Sequence, residues 1–197
     1  MKKIPTLFER MYDEKGKVIG ITDTVKPGFE WVLAGEGLAT VKVDGSCCAI
    51  IDGVLYKRYD AKKGKKPPEG AIPCQPEPDP VTGHWPHWVK CDEENPADRW
   101  FFDALARRNS TSIAYDWTYE AIGKHFNGNP YGLLTDFLVP HGTNVLYDFP
   151  HDFEGMKVFL EVCDYEGVVF WKDGKPQCKI KRTDFGFSWP SSHPIWE

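Results

Sequence analysis

The chain has 197 residues with 41% hydrophobic content, which fits a globular domain with a core and excludes a disordered or fibrous protein. Its formal net charge of −5 argues against a protein that coats nucleic acid along its whole surface. No apolar run is long enough to span a membrane, and none follows Lys2-Lys3, so we expect neither a membrane span nor a secretory signal. The six cysteines show no framework spacing, and we therefore expect reduced thiols in a cytoplasmic or nuclear compartment. We also expect a monomer.

The predicted elements are mainly strands in hairpins, with two helices. Proline-rich residues 64 to 92 predict an irregular segment between the strand that ends at Tyr59 and the first helix. In chain order we first predict a hairpin in the first 30 residues, and then a strand from Leu38 to Ile51, an Asp52-Gly53 turn and a strand from Val54 to Tyr59. A helix from Asn95-Pro96 to Arg108-Asn109, a strand from Ile113 to Ile122 and a turn at Asn127 to Pro130 follow. The last predicted elements are a helix from Asp152 to Cys163 and a hairpin of Glu166 to Trp171 and Pro176 to Lys181. Strands with few helices indicate a single α+β domain of antiparallel sheets over residues 1–197.

One lysine stands at the end of an apolar strand, in Val41-Lys42-Val43-Asp44-Gly45. We interpret Lys42 as a nucleophile. A lysine is protonated and unreactive at neutral pH, so its apolar neighbours and nearby cations would have to favour the neutral amine before it attacks phosphorus. The alternative is a surface lysine in a hairpin, because Lys-x-Asp-Gly alone occurs by chance.

Two further charged elements follow at later strands. Glu166 heads an apolar strand, where a carboxylate is costly unless it meets a cation or a metal, so we expect it to hold Mg²⁺ or to orient Lys42. Lys179 and Lys181 alternate with Ile180 and share one face, where a triphosphate would compensate their charges. The alternative is a solvent-facing strand. The order of these elements resembles the covalent nucleotidyltransferases, which include polynucleotide ligases and capping enzymes.

Several other residues are candidates with ordinary alternatives. Asp44 reaches a metal or only shapes its turn. We expect Lys57 and Arg58 to clamp phosphate from the returning strand, and Phe126 to stack on adenine or, as the alternative, to pack in the core. The basic stretch from Lys57 to Lys66 holds polyphosphate or single-stranded ends, or its Lys62–Lys66 part is a solvated loop.

A rival metal site would consist of Cys74, His84, His87 and Cys91. All four are ligand types for Zn²⁺, but their spacings fit no common zinc pattern.

Longer stretches add to these motifs, and they are Lys42–Cys48, Gly83–Val89, Glu120–Gly123, Asn127–Leu133, Val139–Gly142, Glu166–Val169, Ile180-Lys181 and Phe187–Pro190. Together they resemble the vertebrate-type RNA ligase 1 family, whose members are ATP-dependent ligases that join a 5′-phosphate to a 3′-hydroxyl in RNA. The resemblance runs from about residue 35 to the end of the chain.

The resemblance implies roles for particular residues. Lys42 would carry AMP, Lys181 would contact the α-phosphate, and Glu120 would contact metal or nucleotide. We also expect the nucleotide to contact Val41, Lys57, Arg58, Phe126, Glu166 and Lys179, and we expect Asp44, Glu120 and Glu166 to be ligands of Mg²⁺ or Mn²⁺. Where many ligases have an arginine five residues after the nucleophile, this chain has Cys47, and Arg58 or Lys57 is expected to substitute.

The resemblance further implies a ligase adenylation domain that acts through a lysyl-AMP and then an RNA-adenylate. We expect no oligonucleotide-binding barrel after it, because the residues that follow Lys181 are too few to form one. Trp85 and Trp88 are expected to stack on single-stranded RNA ends. Two alternatives stay open: a nucleotide-binding protein without ligation activity, and a capping-type guanylyltransferase.

Overall fold

The structure is a computed structural model that describes residues 1–80, 82–107 and 116–190. These residues form three open sheets, whose strands pair antiparallel, and a few short helices, which confirms the predicted α+β class. The strands are β1 Phe8–Tyr12, β2 Val18–Val25, β3 Leu38–Lys42, β4 Ser46–Ile51, β5 Val54–Ala61, β6 Ile72–Pro73, β7 Trp85–Lys90, β8 Trp117–Ile122, β9 Phe137–Pro140, β10 Gly167–Lys172 and β11 Lys175–Lys181. The helices are α1 Glu30–Leu33, α2 Arg99–Ala106, α3 Phe153–Val162 and a 3-10 helix, Arg182–Phe185.

The described residues form two compact units. The first unit contains residues 1–3 and 44–141, and the second contains residues 4–43 and 142–190. The prediction of a single domain over residues 1–197 stays a prediction. No helix within the described residues combines the length and apolar character needed to cross a lipid bilayer.

The second unit is built on a three-stranded sheet in the order β11-β10-β3, with the β1-β2 hairpin beside it. One face of the three-stranded sheet packs on α3 through a core that includes Leu7, Phe8, Met156, Leu160, Val168, Phe170 and Ile180. Helix α3 begins after Asp152, whose side chain accepts a hydrogen bond from the Gly155 N–H at 2.8 Å. The predicted helix and the β10-β11 hairpin are therefore confirmed.

The first unit is built on a six-stranded sheet in the order β6-β7-β5-β4-β8-β9. One face of this sheet packs on α2 through Cys48, Ile50, Leu55, Phe101, Ala104, Tyr119, Ala121 and Phe126. Strands β4 and β5 are joined at Asp52 and Gly53, which have φ angles of 50° and 74°. The two positive angles suit a tight hairpin turn, as predicted from Asp-Gly.

The predicted strand from Leu38 to Ile51 is wrong as one element. It is divided into β3, which pairs with β10, and β4, which pairs with β5 and β8. The division falls at Asp44-Gly45, where the chain runs against β8. A Cβ atom on Gly45 would lie 2.3 Å from the carbonyl oxygen of Ala121, so only glycine fits this approach.

The prediction that residues 64 to 92 are irregular is wrong in part. Strand β7 runs through Pro86 and pairs with β5, and the carbonyl of Pro86 accepts a hydrogen bond from the Cys74 N–H at 2.9 Å. Proline lacks a donor but keeps its acceptor, which is sufficient at this position. His87 and Trp88 are consequently buried.

Helix α2 begins at Arg99 and not at Pro96. The Asn95 side chain accepts a hydrogen bond from the Ala97 N–H at 3.0 Å, which forms a turn before the helix instead of a helix cap. The predicted helix end at Arg108-Asn109 and the predicted strand start at Ile113 lie outside the described residues. The later part of that strand is confirmed as β8.

Candidate functional site

Two of the candidate lysines of the second unit flank one glycine in the three-stranded sheet. Gly167 at the start of β10 pairs in register with Lys42 on β3 and with Lys181 on β11. Side chains in register across a sheet leave the same face, so both lysines project on the same side. A Cβ atom on Gly167 would lie 2.2 Å from the carbonyl oxygen of Ile180, which requires glycine between the lysines.

The carboxylate of Glu166 joins these two lysines. Its Oε2 forms a hydrogen-bonded ion pair with Lys42 Nζ, and its Oε1 lies 3.8 Å from Lys181 Nζ. The Glu166 side chain is 12% exposed, and those of Lys42 and Lys181 are 21% and 28% exposed. The structure thus brings Lys42 together with two predicted site residues that lie more than a hundred positions later in the sequence, and the side chains of both lysines are still reached by solvent.

Val41 and Lys179 have structural contacts on the same sheet. The Val41 N–H donates a hydrogen bond to the Asn144 carbonyl at 2.9 Å, and Val41 pairs with buried Val168. The Lys179 N–H donates to the Pro5 carbonyl at 3.0 Å, which ties β11 to the N-terminal segment. Lys179 precedes Lys181 by two positions and therefore shares its face.

The residues that follow Lys42 are fixed within the first unit. The Asp44 N–H donates to the hydroxyl oxygen of Tyr131 at 2.7 Å, and the Gly45 N–H donates to Glu120 Oε1 at 3.2 Å. Tyr131 is buried and was not among the predicted site residues. Its signal was the Asn-Gly-Asn-Pro-Tyr stretch, in which Asn129 has a positive φ angle and turns the chain toward Tyr131.

Glu120 is also bound to a histidine that the sequence reasoning missed. Glu120 Oε2 lies 2.9 Å from His141 Nε2, and His141 Nδ1 lies 2.9 Å from Thr118 Oγ1. Cys47 pairs in register with Glu120, and the ligand atoms of Cys47, Glu120 and His141 lie within 4.8 Å of one another. The signal for His141 was the Pro-His-Gly stretch after β9.

Arg58 lies beside Cys47. Cys47 stands at the position where many ligases have an arginine. Burial raises the pKa of the Cys47 thiol to about 12, and the charge of Glu120 adds to the increase, whereas the Arg58 guanidinium lowers the pKa. Arg58 Nε lies 3.1 Å from Asp60 Oδ1. That Arg58 substitutes for the missing arginine stays a prediction.

Lys57 and Phe126 are engaged elsewhere in the first unit. Lys57 follows the alternation of β5 to the face opposite Arg58, where it forms an ion pair with Asp98, a residue only 1% exposed. Phe126 is 4% exposed and packs edge-to-face on Phe101, with ring centroids 4.9 Å apart. The contacts of Phe126 agree with its core-packing alternative. The side chains of Lys57 and Arg58 lie on opposite faces of the sheet.

The expected RNA-binding segment is largely structural. Trp88 is buried, and the indole N–H of Trp85 donates to the Gln75 carbonyl at 2.8 Å. The lysines from Lys62 to Lys66 are exposed, as a solvated loop would have them. Within the described ranges, the rival zinc residues Cys74, His84, His87 and Cys91 do not form a group with ligand spacing, whereas Cys47, Glu120 and His141 do.

The chain is similar to curated proteins named RNA ligase 1 over most of its length. It is 28% identical to RNA ligase 1 of Danio rerio, an alignment that covers 96% of this chain and 82% of that protein. It is 27% identical to RNA ligase 1 of Rattus norvegicus and 26% identical to that of Pongo abelii, each over 79% of this chain and 69% of the relative. No protein-family model matches the chain. These similarities confirm the resemblance predicted from the motifs.

Proposed function

We propose that this protein is an ATP-dependent RNA ligase that joins 5′-phosphate and 3′-hydroxyl RNA ends. The observation that carries the proposal is the Glu166 carboxylate bound between Lys42 and Lys181. A lysine nucleophile beside a carboxylate and a second cation is suited to attack on a phosphate anion. The names of the relatives support the class of RNA ligases.

In the first step, the Lys42 amine attacks the α-phosphate of ATP. A bond forms between Nζ and phosphorus, and the bond from phosphorus to the pyrophosphate oxygen breaks. Lys42 must lose a proton before or during the attack, and Glu166 is its hydrogen-bond partner and hence the nearest acceptor. Lys181 would compensate the negative charge that develops on the α-phosphate.

In the next two steps AMP passes from Lys42 to the 5′-phosphate of one RNA end, and the 3′-hydroxyl of the other end then displaces AMP. By resemblance we propose Arg58, Glu120 and Lys179 as nucleotide contacts. The carboxylates of Asp44, Glu120 and Glu166 are the ligand type that Mg²⁺ and Mn²⁺ prefer. Such an ion would offset the charge of the departing pyrophosphate.

Ligation of short RNAs in the presence of ATP tests the proposal. We expect joining of a 5′-phosphate end to a 3′-hydroxyl end, and no joining when the 5′ end is a hydroxyl, because AMP transfer requires the phosphate. Matched DNA ends measure the preference for RNA. Lys175→Ala is a suitable control for substitutions of Lys42 or Lys181, since Lys175 is an exposed lysine on the same strand as Lys181.

Nucleotide binding and covalent labelling, measured beside ligation, separate the alternatives. ATP binding without any joined product would favour a nucleotide-binding protein, and covalent labelling by GTP in place of ATP would favour a guanylyltransferase. The expectation of a monomer in the cytoplasm or nucleus stays a prediction.

A further inference from the structure

We propose that Cys47, Glu120 and His141 form a binding site for a divalent transition-metal ion of the Zn²⁺ type in the first unit. The three side chains offer one sulfur, one oxygen and one nitrogen atom within 4.8 Å of one another. Zn²⁺ binds these three donor types at about 2.0–2.3 Å, so two ligand atoms of one tetrahedral ion lie about 3.5 Å apart. The group therefore needs a movement on the order of 1 Å to close around an ion.

The sheet determines how these three donors meet. Cys47 on β4 and Glu120 on β8 are paired residues, so their side chains leave the same face. His141 directly follows β9, the neighbour of β8, and its N–H donates to the Thr118 carbonyl at 3.1 Å. The three donors thus come from three adjacent strands, and their backbones are fixed by the hydrogen bonds of the sheet.

Two of the donors are oriented by further hydrogen bonds. Glu120 Oε1 accepts from the Gly45 N–H, which leaves Oε2 toward His141. His141 Nδ1 is bound to the hydroxyl of Thr118, whose oxygen can accept a hydrogen bond from Nδ1–H, and in that tautomer Nε2 is free to bind a metal. Metal-binding histidines are usually held in this way by a second hydrogen bond. The contact between Nε2 and Oε2 is the one that an ion would replace.

The charges around the three donors are compatible with binding of a divalent ion. When a metal binds, the Cys47 proton passes to solvent, and the thiolate and the Glu120 carboxylate together balance the two charges of the ion. Arg58 is close by, but its charge is offset by Asp60. A thiolate and an imidazole favour Zn²⁺ or Co²⁺ over Mg²⁺, which prefers oxygen ligands. Three protein ligands leave a fourth coordination position open.

This site is separate in chemistry from the Mg²⁺ or Mn²⁺ of the proposed ligase reaction, although Glu120 takes part in both proposals. Binding of a Zn²⁺-type ion would occupy the Glu120 carboxylate and hence oppose its proposed nucleotide contact. Metal binding can be measured without ATP or RNA, so its outcome does not depend on whether the protein is a ligase.

Titration of the metal-free full-length chain with Co²⁺, followed by absorption, tests the proposal. We expect uptake of one equivalent with a sulfur-to-cobalt charge-transfer band in the near ultraviolet. Cys47→Ser should remove that band, and His141→Gln should weaken binding by at least about tenfold. Cys163→Ser is the matched control, because the Cys163 thiol lies in the second unit and its hydrogen bonds to the Leu160 and Tyr165 carbonyls can be made by serine.

The proposal is overturned if the wild-type protein shows no saturable Co²⁺ uptake, or if the charge-transfer band persists in Cys47→Ser. Thermal unfolding provides a second measurement that does not depend on the sulfur band. Zn²⁺ should raise the midpoint of the wild type and of Cys163→Ser by the same amount, and that of His141→Gln by less, because its weaker binding stabilises the fold less. An equal increase in all three proteins would contradict the site.

Discussion

Replacement of Glu166 by glutamine tests whether one carboxylate holds the two lysines of the candidate site together. The substitution keeps the shape of the side chain and removes its charge, so Lys42 and Lys181 lose their common partner and repel each other. At the observed 3.8 Å, the Glu166–Lys181 attraction is about 4 kcal/mol in a medium with an effective dielectric constant near ~20. Because the Lys181 side chain is 28% exposed, solvent screening should reduce this to about 1–2 kcal/mol.

Urea unfolding of a double-mutant cycle with Glu166→Gln and Lys181→Met measures this coupling directly. We expect a coupling free energy of about 1–2 kcal/mol at low salt, which decreases as salt is added. Glu36→Gln with Lys172→Met is the control cycle, because that ion pair has a 2.7 Å contact on the surface of the same unit and its side chains are 56% and 37% exposed. The control should give less than about 1 kcal/mol. A Glu166 coupling that is near zero and independent of salt would refute the arrangement.

Three other substitutions or conditions test the framework of the two units. Arg182→Lys should lower the free energy of unfolding by about 2–4 kcal/mol, because the buried guanidinium donates to the Leu160, Cys163 and Ser188 carbonyls and one ammonium cannot reach all of them. Urea unfolding measures the loss, and an effect as small as that of exposed Lys175→Arg would count against this role. Lys57→Met should lower the free energy of unfolding by about 3 kcal/mol, because it leaves buried Asp98 without its cation. Adding Asp98→Asn should recover part of that free energy, and no recovery would show that Lys57 is not needed to balance Asp98. Burial raises the pKa of Cys178 to about 12, so its thiol stays protonated in the folded state while an unfolded thiol ionises from about pH 9. The thermal midpoint should therefore fall as the pH rises above 9, and less steeply in Cys178→Ala; equal slopes would contradict this.

The parts of the fold that depend on neighbouring residues were predictable. The Asp52-Gly53 turn and the β10-β11 hairpin follow from local turn chemistry, and Asp152 starts α3 as an N-cap. Lys42, Glu166 and Lys181 could also be predicted to meet, because each lies at the end of a strand and antiparallel neighbours bring such ends to one edge of a sheet.

The remaining features depend on contacts between distant residues. Apolar residues continue on both sides of Asp44-Gly45 in the run from Leu38 to Ile51, so its division into β3 and β4 follows from the close approach of Gly45 to β8. Lys57 and Arg58 have the same charge, and only the position of α2 decides which one reaches a buried acid. His141 became a candidate only when the sheet placed it against Glu120.

Covalent labelling by ATP tests the central claim most directly. The full-length protein is incubated with α-labelled ATP and a divalent cation, separated by denaturing electrophoresis, and the labelled peptide is identified by mass spectrometry. We expect AMP on Lys42, loss of the label in Lys42→Ala, and retention of the label in Lys175→Ala. A label that persists in folded Lys42→Ala, or a wild-type protein that takes up no label, would contradict the role of Lys42 as the nucleophile.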